Sequence, residues 1–333
     1  MQHTKGFWPV VAAIGGNCFV TLIKFFAASL SGSSSMFSEA VHSTADTVNQ
    51  LLLLIGLGRS NKKADVAFEY GYGNERFFWA LISACCVLFV GAGVTAYKGV
   101  SAFQNPHHIE FSPTIFVVLV FSLIIEFYTF LLAARTLKRD FPALPWLERL
   151  ARADPATLSV FLEDAVAVIG IIVAGVSLVL SYYTGDTMWD ALGSTVIGVL
   201  LGIVAITLII KNRSYLIGRA LPAARQEEVI EFLLKEPAIE KVIDFKSISV
   251  AFGVYRIKCE VEFNGSALLR EAYRNQTLRD QYEEVHGDFD AFVRFCADYA
   301  DRIPRLIGKK IDDIEGRIRK EFPGIRHIDI EIN

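Results

Sequence analysis

The stretch SSSMFSEAVHSTADTVNQLLLLIGL, residues 33–57, carries most of what the chain discloses about itself. It ends as a leucine-rich membrane helix would, yet its first half is too polar for a plain hydrocarbon span. The polar residues are not scattered. Glu39, His42, Asp46 and Asn49 recur at intervals of three, four and three and so share one face of a helix. Ionisable groups at membrane depth are expensive and face an interior or an aqueous cavity, where they mark a path for ions or protons. The bland alternative is interhelical hydrogen bonding, but two carboxylates and a histidine exceed what packing needs. His42 and Asp46 stand one turn apart, so an imidazole nitrogen and a carboxylate oxygen can converge on one small cation. That pairing suits zinc or a similar divalent ion without selecting zinc uniquely.

Around this stretch the chain is strongly apolar. Of 333 residues, 53% are hydrophobic and 21% charged, with a mean hydropathy of +0.39, too apolar for an ordinary soluble domain of this length. The charges are unevenly spread. Residues 219–333 hold 19 of the 33 Lys and Arg and 22 of the 36 Asp and Glu, leaving 14 of each sign in the first 218. The net charge of −3 therefore falls in the second part. This divides the chain into a membrane domain over 1–218 and a soluble domain over 219–333, with no basic excess for nucleic acid. Five cysteines without C-x-x-C spacing predict neither a disulfide framework nor a thiolate zinc finger.

Residues 77–97, 165–185 and 191–210 are each about twenty residues without a charge, enough to span roughly 30 Å of hydrocarbon. Residues 111–134 make another span interrupted by Glu126, and 7–30 one interrupted by Lys24; with 33–57 the economical count is six transmembrane helices. Lys and Arg should collect on the cytoplasmic side. Arg59, Lys62, Lys63 and Arg76 fall between the second and third spans, and five more from Arg135 to Arg152 between the fourth and fifth. Lys211, Arg213 and Arg219 follow the sixth, whereas the opposite face has only Lys98. Both termini are thus predicted cytoplasmic. With no Arg-rich transit segment or cleavable leader before Phe7, the expected location is a prokaryotic cytoplasmic (inner) membrane.

After Pro222 the pattern changes. ARQEEVIEFLLKEP reads as an amphipathic helix, KVIDFKSISVAFGVYRIKCEVEFNG as two strands turning near Gly253, and the closing IRHIDIEI as a strand. This order suits a small α+β domain, with residues 265–303 as an inserted helical segment.

Other polar residues at membrane depth complete the candidate site. Glu163 and Asp164 stand side by side in the fifth span, about 100° apart around a helix, so at most one aims straight into a cavity. With Asp164 facing the stripe, His42, Asp46 and Asp164 supply three ligands; the fourth is Glu163, given a local helix distortion, or water. The competing reading makes Glu163 and Asp164 charged edge residues of their helix. Lys24 and Glu126 read first as a buried ion pair, with a proton relay through Glu126 as the sharper alternative. Asn17 reads as packing, with contact to the site as its alternative. His107, His108, His286 and His327 lack partners at ligand spacing.

The segments SLSGSSSMFSEAVHSTADTVNQ, FEYGYGNERF, LSVFLEDAVAVIG, WDALGSTVIGVLLG and LIGRALP, with the α+β tail, together resemble the cation diffusion facilitator family of divalent-metal transporters over nearly the whole chain. GYGNERFFW, LEDAVAVIG and IRHIDIEI look most like the zinc-transporter subgroup that includes the animal mitochondrial zinc exporter. The resemblance implies a homodimer, six helices per subunit, cytoplasmic termini, a ferredoxin-like C-terminal domain and metal/proton antiport. It places the family's first ligand pair on His42 and Asp46. The second pair falls on Val160 and Asp164, and valine cannot bind metal. The tail lacks the cysteines and clustered histidines of many relatives' regulatory sites, so no strong cytoplasmic zinc site is expected.

The expected function is secondary active export of Zn²⁺ from the cytoplasm in exchange for protons, the ion being bound transiently and no resident cofactor being required. The alternatives are a Mn²⁺, Fe²⁺ or Co²⁺ exporter of the same fold, or a membrane metal sensor that does not transport. An intramembrane metalloenzyme is disfavoured because no H-E-x-x-H or comparable motif is present.

Overall fold

A computed structural model describes residues 7–105, 109, 112–272 and 278–333, and divides the chain into two compact units, Met1–Ile217 and Gly218–Asn333. His107 and His108 lie outside the described residues.

The first unit is helical. α1 (Phe7–Ser31) and α2 (Ser34–Ser60) are followed by α3 (Glu75–Cys86), which runs through a π-helical segment, Val87–Ala92, into α4 (Gly93–Gln104). Then come α5 (Pro113–Asp140), a short α6 (Trp146–Arg152), α7 (Pro155–Thr184) and α8 (Met188–Ile217). Local sequence sets the boundaries. Ser33 accepts a hydrogen bond from the Met36 amide and caps α2, and Ser112 does the same for α5 with Pro113 behind it. Gly185, in the left-handed region at φ +69°, ends α7.

Among the described residues, four helical rods are long and apolar enough to cross a membrane: Glu75–Gln104, Pro113–Asp140, Pro155–Thr184 and Met188–Ile217. Their outward faces carry bare apolar side chains such as Val117, Ile124, Ile172 and Val199, as hydrocarbon requires and water does not. α2 owes its lower hydropathy to the stripe, whose Glu39, His42 and Asn49 it buries together with Met36 and Ala40.

Small residues let helices approach closely inside the bundle. A Cβ on Gly99 of α4 would come within 2.8 Å of the Thr195 backbone nitrogen, and one on Gly198 of α8 within 2.9 Å of that of Ala96. Both close approaches belong to one crossing, which joins α4 and α8 backbone to backbone. At the other end of these rods Phe77 stacks on Tyr215, ring centroids 4.7 Å apart, and Arg76 makes a two-pronged ion pair with Asp154 at 2.7 and 2.8 Å.

The second unit holds α9 (Ala223–Leu234), β1 (Ile239–Ala251), β2 (Val254–Phe263), α10 (Gly265–Ala272), α11 (Leu278–Val285), α12 (Phe289–Glu321) and β3 (Ile325–Ile332). The sheet order is β1-β2-β3, antiparallel across the Gly253 turn and parallel between β2 and β3. Along central β2, Ile257, Cys259 and Val261 are buried in a core completed by Val229 and Leu233 of α9 and Ile314 and Ile318 of α12. The region read from sequence as a helical insertion over 265–303 has no break at its far end. α12 runs through Pro304 to Glu321, so its first turns and the core-forming last turns belong to one helix.

Candidate functional site

The stripe on α2 divides between two partners. At its lower end, Asp46 lines a cavity of about 330 Å³ between α1, α2, α5 and α7, with Asn17, Glu126, Thr129, Val160 and Asp164 around it. Asp164 thus reaches the cavity and the neighbouring Glu163 does not. Ser159 Oγ donates to Glu163 Oε1 at 2.8 Å, and Asn49 Nδ2 donates to Glu163 Oε2. The Asn49 carbonyl oxygen in turn accepts from Ser83 of α3. Glu163 and Asn49 therefore tie α2, α3 and α7 together. α7 is regular through this point, and the helix distortion that would turn Glu163 toward the cavity is absent; the π-helical turn lies in the third rod instead.

His42 is fully buried, with Nε2 3.5 Å from Asp46 Oδ2. Among the described residues neither ring nitrogen has a hydrogen-bond partner, and the same is true of Asp46 Oδ1 and Asp164 Oδ2. Buried polar atoms without partners are rare and call for an explanation, such as a ligand. Asp46, Glu126 and Asp164 thus bring three carboxyl groups from three helices to the cavity wall. His42, Asp46 and Asp164 are not drawn together here: among the described residues no three His, Cys, Asp or Glu side chains are grouped closely enough to hold a metal ion.

Lys24 has more partners than the pair read from sequence. Its ammonium donates to Glu126 Oε1 at 3.5 Å, to Glu39 Oε2 at 3.3 Å and to Ser43 Oγ at 2.8 Å. Asn17, read as packing, lines the cavity. His286 lies in a surface depression of the second unit, and His327 stands on β3.

Several polar residues escaped the sequence reading. Ser43 and Gln50 line the cavity beside Asp46, and their spacing of three and four from it was the available signal. Thr129 and Thr136 likewise line it from the Glu126 face of α5. The buried Asp190 of α8 binds the start of α2, accepting from Ser33 Oγ at 2.6 Å, from the Ser34 amide at 2.5 Å, from the Ser35 amide at 3.2 Å and from Ser35 Oγ. No local pattern signals a bond between residues so far apart in the chain.

A multi-pass helical bundle in which three helices, α2, α5 and α7, each bring a carboxyl group to one cavity belongs to the class of membrane cation transporters. Residues 10–217 match the family described as the cation efflux transmembrane domain, and the chain belongs to that cation diffusion facilitator family. It is similar to the proton-coupled zinc antiporter SLC30A9, mitochondrial, of Homo sapiens, 33% identical over 323 residues that cover 96% of this chain and 56% of that protein. Metal tolerance protein C4 of Arabidopsis thaliana is 34% identical over 342 residues, 99% of this chain and 74% of the plant protein. An uncharacterized transporter of Methanocaldococcus jannaschii, MJ0449, is 23% identical over 259 residues, 76% of this chain and 83% of its own. The chain thus spans little more than half the length of the human relative. The human and archaeal relatives are named as transporters.

Proposed function

We propose that the chain is a Zn²⁺/H⁺ antiporter that exports zinc from the compartment its Lys- and Arg-rich loops face. The observation that carries this reading is the set of buried, unpartnered atoms on His42, Asp46 and Asp164, two of these residues lining an open cavity. One nitrogen donor and two carboxylates make a ligand set of the borderline kind zinc accepts. In this proposal closure of the bundle brings the three together around the ion, and water or Asn17 completes the shell where Val160 offers nothing. Glu163, engaged by Ser159 and Asn49, holds helices rather than metal. Metal can bind only as protons leave its ligands, which couples the two fluxes, and rocking between inward- and outward-open bundles gives alternating access. The name of the human relative supports both zinc and proton coupling.

The same proposal takes α1 and α2 as membrane spans beside the four apolar rods, six in all, with the transport domain over 1–218 and both termini on the positively charged side. The second unit, with its helices against a small sheet, is read as the family's ferredoxin-like domain and as the contact of a homodimer. Mn²⁺, Co²⁺ or Fe²⁺ is the second reading, favoured by Val160 and by the oxygen-rich cavity wall; competition flux at matched concentrations separates the ions. Purified protein in liposomes tests the main reading. An imposed pH gradient should drive Zn²⁺ uptake that His42→Ala and Asp46→Ala abolish; no flux in the wild type, or flux intact in both variants, defeats it.

A further inference from the structure

The Lys24 ammonium occupies a point with the surroundings of a bound metal ion. Two carboxylates from different helices, Glu39 on α2 and Glu126 on α5, and the Ser43 hydroxyl converge on Nζ at 3.3, 3.5 and 2.8 Å. Three N–H donors meet three acceptors, so the ammonium is saturated. Glu39 is wholly buried, and its second oxygen, Oε1, has no hydrogen-bond partner among the described residues. That oxygen presses against Gly170 of α7, where a Cβ would overlap it, so the carboxylate is held between its helix neighbour and Lys24. Glu126 and Ser43 also line the cavity that contains Asp46 and Asp164. The oxygen cluster and the cargo cavity therefore share a wall.

An all-oxygen set with two carboxylates is what a hard divalent cation seeks. We propose that Glu39, Ser43 and Glu126 form a second cation site beside the cargo cavity, permanently filled by the Lys24 ammonium, which confines the divalent cargo to His42, Asp46 and Asp164. The charge on Lys24 is covalently tethered and cannot be exported. It neutralises carboxylates that would otherwise hold a second ion on the route, where tight binding would slow release. The proposal rests on the cargo site assigned above and names the residue that restricts it.

Equilibrium dialysis of the purified full-length protein against Zn²⁺ and, separately, Mn²⁺, with metal counted per protomer, tests it. The wild type should bind a single ion that Asp46→Ala abolishes. Lys24→Ala should bind one ion more than the wild type, with the gain clearest for Mn²⁺, and adding Glu39→Gln should remove the gain. A folded Lys24→Ala with wild-type stoichiometry overturns the proposal. Absence of binding to the wild type overturns the cargo site alone, because Lys24→Ala would still gain its ion. Glu39→Gln alone, at a residue outside the cavity lining, leaves Lys24 paired with Glu126 and Ser43 and gives an answer even where Lys24→Ala does not fold. Its affinity for the cargo ion should change by less than about tenfold, equivalent to about 1.4 kcal/mol; a larger loss means that Glu39 holds cargo itself and overturns the proposal.

Discussion

Replacing Asp190 with asparagine removes one charge and keeps the shape of the side chain. Asp190 is 2% exposed, so water screens it little, and its carboxylate takes four hydrogen bonds from Ser33, Ser34 and Ser35 at the start of α2. An asparagine oxygen can replace Oδ1, which serves Ser33 and Ser35. Its NH₂ then replaces Oδ2 and faces the Ser34 amide, donor against donor. Losing that charge-assisted bond costs about 1.5–3 kcal/mol, and losing the negative charge at a helix N-terminus about 0.3–1 kcal/mol more. Together these come to about 2–4 kcal/mol. In a domain of roughly 200 residues each kcal/mol moves the unfolding midpoint by about 2–4 °C, so a drop of about 4–16 °C is expected. Thermal unfolding in detergent at one scan rate, followed by tryptophan fluorescence, measures it, and Trp189 reports from the adjacent position. Asp190→Ala should be worse still, since it also takes the acceptor from the Ser35 amide and leaves the Ser33 and Ser35 hydroxyls only each other and Ser177. A drop under about 2 °C, or an alanine variant no worse than asparagine, would refute the assignment.

Gly198→Ala should destabilise the first unit by about 1–3 kcal/mol through overpacking, because the new methyl meets the Ala96 backbone rather than a movable side chain; the same thermal assay reads it, and Gly58→Ala, with open space around it, is the control. Burial in the sheet core pushes the Cys259 thiol up to about 12, with Glu315, Asp329 and Glu331 adding to the effect, so a maleimide near neutral pH should label exposed Cys296 and reach Cys259 only after unfolding. Burial alone would raise the Glu236 carboxyl, but hydrogen bonds from Arg317 and Lys310 outweigh it and hold the group below its ordinary 4.5. Its stabilising contribution is therefore complete above the unfolded-state value and lost as pH falls through the lower folded one. Calorimetry of Glu236→Gln from about pH 7 to about pH 3 should show lower stability at the neutral end and a flatter acid limb; parallel curves would count against the network.

What could be read from the chain and what could not follows the range of the forces involved. The α2 stripe was legible because helical geometry alone aligns Glu39, His42, Asp46 and Asn49. Which face of α7 meets it was not: Glu163 and Asp164 differ by one step around the helix, and only packing against Ser159 and Asn49 decides that Asp164 takes the cavity. Lys24 and Glu126 were recognisable as opposite buried charges, but the additional claim of Glu39 on the same ammonium depends on how α1 and α2 dock. The inserted segment was read as ending at 303, whereas α12 continues through Pro304, with Ile314 and Ile318 anchoring its last turns in the core. Nothing in the apolar run around Val87–Ala92 distinguishes a π-helical turn from a regular one.

The crossing at Gly99 and Gly198 has a kinematic consequence. Backbone contact along one turn of each helix lets neither slide past the other without separating, which couples α4 to α8 at that point. A displacement that opened one side of the bundle would be taken up more easily around the cavity, where Thr129, Thr136 and Val160 border open space. The stationary half of such a machine would thus be its glycine-lined half, and the moving half the one that carries the charge.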